Sequence, residues 1–249
     1  MSLFRRNRPS QPSPSRVPSP SASATPSEDC AKHSPCREVL AIPAAQRDSL
    51  LRLIIARTSD LGPDAIQIYL NDEFCALLVA MGPGESGRFQ RAFPVLGHLA
   101  ARWNVHYTDL LFRAMENMRG DSVSVDRYDQ GESSPLYTVV DQGVSGVAHL
   151  VRLEELLGVD LPHGALIGIP REHQIVAVPI RKHRDINTME PLLRLVYQVG
   201  STAPDRLSLD VFWYHKGRLH PLHADGNDGK LDQIFPPDEF LQLVEQLRR

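Results

Sequence analysis

The chain has 249 residues, 42% of them hydrophobic and 23% charged, with a formal net charge of −3 and a pI near 6.4. This size suits one sizeable core, and the slightly acidic balance excludes a global positive field that would gather nucleic acid or anionic lipid. No apolar run approaches the roughly 20 residues needed to cross a bilayer. The basic residues among positions 1–8 are followed by Pro and Ser where a secretion signal needs an apolar segment, and three cysteines cannot make a disulfide framework. The expectation is a soluble cytoplasmic protein.

Pro and Ser supply 16 of the first 36 residues, and after Met1 only Leu3, Phe4 and Val17 are large and apolar. So little apolar surface cannot offset the entropy of ordering, so residues 1–36 read as a disordered tail and 37–249 as a single domain. After Pro43, Leu50, Leu51, Ile54 and Ile55 recur at helical spacing until Gly62-Pro63, which predicts a helix. Residues 66–70 and 74–81 flank Asn71-Asp72-Glu73 and predict a hairpin with Cys75 as a buried, inert thiol. A helical stretch over 95–103 precedes one capped by Thr108, with Leu110, Leu111, Ala114, Met115 and Met118 on one face and Gly120 at its end. Residues 123–128 and 136–140 predict a strand pair, and Val147, Leu150, Val151 and Leu157 a helix closed by Gly158. Residues 165–169 and 174–180 form the next predicted hairpin, through Pro170-Arg171-Glu172-His173. Asn187 or Thr188 then caps a helix with Leu192, Leu193, Val196 and Val199 inward, ended by Gly200. A last hairpin, 207–214 with 218–222, turns at Lys216-Gly217, and Pro237 opens a terminal helix carrying Phe240, Leu241, Val244 and Leu247 on one face.

Strand pairs beginning near residues 122, 165 and 208 are 43 residues apart and each leads into a helix, with the hairpin near 65 as a candidate fourth unit. Each amphipathic helix must bury its stripe against a sheet. The expected class is therefore α+β, built of repeated hairpin-helix units, with an antiparallel or mixed sheet and helices packed mainly on one face.

Three stretches carry a resemblance. Trp103-Asn104-Val105-His106-Tyr107-Thr108 leads into Phe112-Arg113-Ala114-Met115-Glu116-Asn117-Met118-Arg119. Gly164-Ala165-Leu166-Ile167-Gly168-Ile169-Pro170 continues through His173-Gln174-Ile175-Val176-Ala177-Val178. Leu207-Ser208-Leu209-Asp210-Val211-Phe212-Trp213 is followed by Gly217-Arg218-Leu219-His220-Pro221-Leu222. In order and spacing, about residues 64–223 resemble the YtpQ-like family of uncharacterised bacterial proteins. Relatives often carry an acidic residue in the turn after the proline, where this chain has Arg171-Glu172-His173. The resemblance implies a fold and a bacterial cytosolic setting and carries over no functional residues.

The chemistry-bearing residues fall in several groups. Cys30, His33 and Cys36 offer soft ligands in a C-x2-H-x2-C pattern, but a structural zinc site takes four ligands and only three are local. His215, His220, His223 and Asp225 gather imidazole and carboxylate near the last hairpin, where a divalent cation or a general base are conceivable; scattered exposed histidines are the blander reading. Arg171, Glu172 and His173 in a hairpin turn, with His183, Arg184 and Asp185 in the next loop, form the best local set for catalysis, against the plain reading of soluble turn residues. The glycine-rich run 82–87 lacks the Gly-Lys-Ser/Thr ending of a phosphate loop, no G-x-S-x-G elbow occurs, and nucleophilic catalysis by serine or cysteine has no visible support. Trp213 and Tyr214 read as core rather than as a stacking platform.

The expectation from these groups is a non-catalytic bacterial cytosolic protein-interaction module, with no cofactor, a protein partner and no nucleic acid. The alternative is a hydrolase or metal-dependent enzyme built on the turn 171–173 with Asp185 or the histidines near 220. A third reading has the arginine-bearing tail dock to a membrane or scaffold.

Overall fold

A computed structural model of the protein describes residues 34–83, 89–222, 224–225, 233–234 and 236–249. Of the expected glycine-rich connector 82–87, Gly82 and Pro83 end a strand, while residues 84–87, the tail up to His33, and His223 lie outside these. The described chain opens in a helix, α1 (Ser34–Ala41), so residues 34–36, expected as the end of the tail, are folded. A short helix α2 (Ala44–Arg47) and one 3-10 turn follow.

The helix expected around Leu50, Leu51, Ile54 and Ile55 is instead a strand, β1 (Leu51–Arg57). Leu51 and Leu53 point into the core with period 2, and β1 pairs antiparallel along its whole length with β3 (Phe74–Pro83). Two β-branched residues and a long neighbouring strand overrode a spacing of apolar residues that fits either period in so short a run. The expected hairpin is present as β2 (Gln67–Tyr69) with β3, and β4 (Phe89–Pro94) pairs with β3 to complete a four-stranded antiparallel sheet. The inward face of this sheet, Leu51, Leu53, Ala76, Leu78 and Ala80, is roofed by α1, α3 (Gly97–Arg102) and α4 (Tyr107–Met118). His106 rather than Thr108 caps α4, its Nδ1 accepting from the Thr108 N–H at 3.4 Å.

The second sheet contains the three later hairpins: β5 (Val123–Gln130) with β6 (Ser133–Asp141), β7 (Ala165–Arg171) with β8 (Gln174–Pro179), and β9 (Val211–His215) with β10 (Arg218–Pro221). Its order is β10-β9-β7-β8-β6-β5, antiparallel throughout. The hairpin near residue 65, a candidate fourth unit in the sequence, belongs to the other sheet. Lys216 and Gly217 both have positive φ, the geometry of a two-residue hairpin turn between twisted strands.

Alternation sorts the second sheet's side chains. Leu166, Val176, Val178, Val211 and Trp213 face the helices α7 (Met189–Gly200) and α8 (Asp238–Leu247), joined by the short α6 (His183–Ile186). Tyr137, Val139, Ile167, Ile169, Ile175, Ala177, Phe212 and Tyr214 face the other way, toward a buried 3-10 turn at Gly146–Arg152, the short helix α5 (Leu153–Leu157) and the first sheet. Each sheet thus carries its longer helices on one face. A two-residue ladder, β11 (Ala224–Asp225) with β12 (Gln233–Ile234), precedes α8.

The two sheets share a core. Ile55, Leu70 and Phe74 of the first half pack in the same cluster as Phe212 and Leu219 of the second, and the Phe74 and Phe212 rings meet edge to face at 6.3 Å. The Leu219 N–H donates to the Leu70 carbonyl at 2.9 Å across the junction. The two tryptophans, Trp103 against the first core and Trp213 in the last, report the two halves separately. Single-tryptophan variants made by Trp103→Phe and Trp213→Phe should therefore give coincident urea transitions, and Phe74→Ala should destabilise both by about 3–5 kcal/mol. Separate midpoints would show halves that unfold independently.

Candidate functional site

The described residue cluster richest in ligand and acid-base chemistry is one that no local sequence pattern marks. Asp121 follows α4, Asp141 ends β6, and His149 lies in the Gly146–Arg152 turn; their ligand atoms all lie within 4.8 Å of one another. His149 is fully buried, Asp141 is 1% exposed, and the Asp121 side chain is 15% exposed. His149 Nε2 sits 3.3 Å from Asp141 Oδ2 and 3.7 Å from Asp121 Oδ2.

Asp141 earns its place through the backbone. Its two oxygens accept the Gly143 N–H at 2.8 Å and the Gly146 N–H at 2.7 Å, which turns the chain sharply out of β6. Gly146 has φ +49°, and a Cβ there would come within 2.2 Å of the Glu172 carbonyl oxygen, so only glycine fits. Burial works to raise the Asp141 pKa, but the neighbouring His149 ring and hydrogen bonds from the Gly143 and Gly146 N–H groups overcome it and hold the carboxyl below the ordinary range. Asp121 accepts the Ser145 hydroxyl at 2.9 Å and faces Arg52 Nε at 3.4 Å.

The tautomer of His149 decides what this cluster does. Arg152 Nε lies 3.1 Å from His149 Nδ1, and a guanidinium can only donate. Nδ1 therefore presents its lone pair to Arg152, and the ring proton is on Nε2, which lies 3.3 and 3.7 Å from the two carboxylates without completing a hydrogen bond to either. A metal-bound imidazole needs the opposite arrangement, with the lone pair on the metal and the far N–H given to an acceptor. Arg52 stands beside Asp121, while the Arg152 guanidinium lies across the His149 ring from the carboxylates and pairs with Glu155. The cluster is a buried brace: Arg152 adds bonds to the Met118 carbonyl at 3.0 Å and Glu155 at 2.8 Å, tying α4 and α5 to the turn.

The residues singled out in the sequence do not gather around it as side chains. Arg171 lies at the end of β7 rather than in the turn, and its Nε pairs with both Asp205 oxygens at 2.9 and 3.1 Å. Glu172 and His173 contribute their backbones, the Glu172 carbonyl accepting from Val147 N–H at 2.9 Å and the His173 carbonyl from Asp141 N–H at 3.1 Å. The Glu172 side chain is exposed, while His173 Nδ1 is buried close to Gly146. Asp185 is fully buried and accepts four donors: Ser134 N–H, Ser134 hydroxyl, Arg181 N–H and Lys182 N–H, at 2.6 to 3.0 Å. Ser134 and Asp141 stand at opposite ends of β6, so Asp185 and His173 are separated by roughly 20 Å of strand. The set Arg171, Glu172, His173 and Asp185 does not converge.

His220 packs on Trp213 with ring centroids 5.1 Å apart, and His215 stacks on the same indole at 4.8 Å. Asp225 is described as a rung of the backbone ladder with Gln233, and with His223 outside the described residues a metal set of His220, His223 and Asp225 has no described geometry. Cys30 and His33 lie outside the described residues, and Cys36 is a buried residue of α1. Cys75 is buried within β3 as expected, and burial pushes its thiol up to about 11. A concavity of about 560 Å³ is lined by Arg119, Arg152, Glu155, Tyr214 and Lys216. Its two arginines are already paired with Glu155.

No family model, curated protein or solved structure matches the chain.

Two outcomes are expected. In ¹⁵N spectra of histidine-labelled protein, His149 should show the Nε2–H tautomer, and zinc or manganese should leave both that signal and the thermal midpoint unmoved; a metal-induced shift would mean Arg152 yields to a cation. Burial, helped by Lys216 for His215 and by Arg218 for His220, lowers both pKa values against the opposing pull of Glu239. A depressed folded-state pKa means the unfolded chain takes up protons first. Their contribution is intact above the ordinary histidine value and lost as pH falls from there through the folded values. Melting curves between pH 7.5 and 5 should therefore drop more steeply for the wild type than for the double variant His215→Asn, His220→Asn; parallel curves would refute the assignment.

Proposed function

We propose that the chain is a bacterial cytosolic protein-interaction module whose docking element is the free edge of the larger sheet, and whose partner is a second copy of the same chain. One observation carries this reading: among the described residues β5 pairs only with β6, and six consecutive residues, Ser124 to Asp129, are exposed on both faces of the strand. Such an edge offers a row of backbone donors and acceptors to an incoming strand. The opposite edge is engaged, since β10 bonds to the first sheet through Leu219 and Leu70.

The residue pattern of β5 supports self-pairing. Two antiparallel copies related by a twofold axis at Tyr128 set each Arg127 opposite Asp129 of the second copy. Within one chain Arg127 and Asp129 already lie on one face, 2.9 Å apart. Tyr128 is 54% exposed and meets its own counterpart at the axis, giving one aromatic and two ionic cross-strand pairs, each worth roughly 0.2–1 kcal/mol. A net charge of −3 favours a protein over a nucleic acid as partner. No described helix is long and apolar enough to cross a membrane. The bacterial cytosolic setting is part of the proposal and is drawn from the resemblance of residues 64–223 to the YtpQ-like family alone.

Sedimentation equilibrium of the full chain across micromolar concentrations should show a monomer–dimer equilibrium. Arg127→Asp should dissociate it by setting like charges opposite each other, and adding Asp129→Arg should restore it by exchanging the signs. A monomeric wild type, or a double variant that stays apart, would overturn the reading.

A further inference from the structure

The four-stranded half of the molecule holds a second cluster, assembled from three separate segments. Cys36 lies in the first turn of α1, Asp64 precedes β2, and His98 is the second residue of α3. Cys36 Sγ is 3.3 Å from His98 Nε2, and His98 Nδ1 is hydrogen-bonded to Asp64 Oδ2. The same carboxylate oxygen accepts the His98 backbone N–H at 3.2 Å, and the Asp64 carbonyl accepts the Gly97 N–H at 2.8 Å. Four contacts fix the ring and the carboxylate together. Gly97 makes this approach sterically open, since a Cβ there would lie 2.5 Å from Asp64 Oδ1.

The tautomer here is the reverse of that at His149. A carboxylate can only accept, so the ring proton is on Nδ1 and the Nε2 lone pair faces the thiol. A nucleophile, a base within hydrogen-bond reach and a third group orienting the base is the arrangement that activates a thiol. The position of Cys36 near the N-terminus of α1 adds a field that favours thiolate. The imidazole reaches the surface with 23% of its side chain exposed, while Cys36 is 1% exposed beneath it, which restricts any reactant to a small group.

We propose that Cys36, His98 and Asp64 form a thiol acyl-transfer site for small activated acyl compounds, with Cys36 as nucleophile, His98 as base and Asp64 as the positioning residue. The Cys36 S–H proton passes to His98 Nε2 and the thiolate adds to the acyl carbonyl. Collapse breaks the bond to the leaving alkoxide or thiolate, which takes the proton from His98 and leaves a thioester on Cys36. Water then gives a proton to His98, adds to the thioester and expels the Cys36 sulfur, which recovers that proton as a carboxylic acid departs. This site is independent of the β5 edge, on the other sheet.

The test uses the full chain and p-nitrophenyl acetate, with acetylated residues identified by peptide mass mapping. A burst of p-nitrophenolate with acetyl on Cys36 is expected, absent in Cys36→Ala and slowed about 100-fold in His98→Asn. Iodoacetamide should alkylate Cys36 with a pH midpoint below the roughly 8.5 of an unassisted thiol, and Asp64→Asn should move that midpoint upward. If Asp64 only caps α3, the Cys36 midpoint is the same in Asp64→Asn as in the wild type, which would overturn its positioning role. Acetylation confined to other residues, an ordinary pH midpoint in the wild type, or equal rates in wild type and His98→Asn would each overturn the proposal. Should either variant fail to fold, the wild-type labelling pattern and midpoint still decide.

Discussion

A short 3-10 turn, Gly146–Arg152, is wedged between the two sheets, and five of its seven residues are buried. Its apolar side chains serve both halves, Ala148 entering the first core while Val147 and Leu150 enter the second. Such a turn brings backbone and imidazole polar groups into a dry interior, where an unmet donor costs about as much as a lost hydrogen bond. Asp141 meets the Gly146 N–H, the Glu172 carbonyl the Val147 N–H and Arg152 the His149 Nδ1, and Tyr214 donates from the second sheet to the Leu150 carbonyl at 2.8 Å, while His149 Nε2 makes no hydrogen bond. The packing of one sheet on the other depends on this satisfaction.

The two buried or half-buried histidines that face carboxylates illustrate how a single neighbour sets chemical capacity. At His149 an arginine consumes the Nδ1 lone pair, so the ring becomes a fixed donor and the cluster becomes scaffolding. At His98 an aspartate takes the Nδ1 proton's hydrogen bond, and the lone pair is turned onto a thiol. Counting ligand-type residues treats the two clusters alike. Donor and acceptor accounting separates them.

The architecture also divides the surface. The first sheet is roofed by α1, α3 and α4, and its approach to the second sheet covers the β10 edge. Among the described residues nothing covers the β5 edge in this way, because the chain leaves β6 directly into the buried turn rather than folding back over β5. The acyl-transfer cluster and the pairing edge therefore lie on different halves, joined through the shared core around Phe74 and Phe212.

Local rules were enough for most elements. Pro170-Arg171-Glu172-His173, Lys216-Gly217, Gly158 and Pro237 mark chain reversals and helix ends because turn and cap conformations are decided within a few residues. The short apolar runs 165–169 and 174–178, bounded by turn residues, were legible for the same reason, and the α+β class followed. Leu51–Arg57 was misread because its apolar spacing suits a helix as well as a strand, and only pairing with β3 decides between them. Neither polar cluster was legible at all: Asp121, Asp141 and His149 come from three elements, and Cys36 and His98 are 62 positions apart. The isolated chain specifies where it turns and which sides are oily. Which distant side chains share a proton is settled only when packing brings the elements together, since hydrogen bonding acts over about 3 Å of space and takes no account of distance along the backbone.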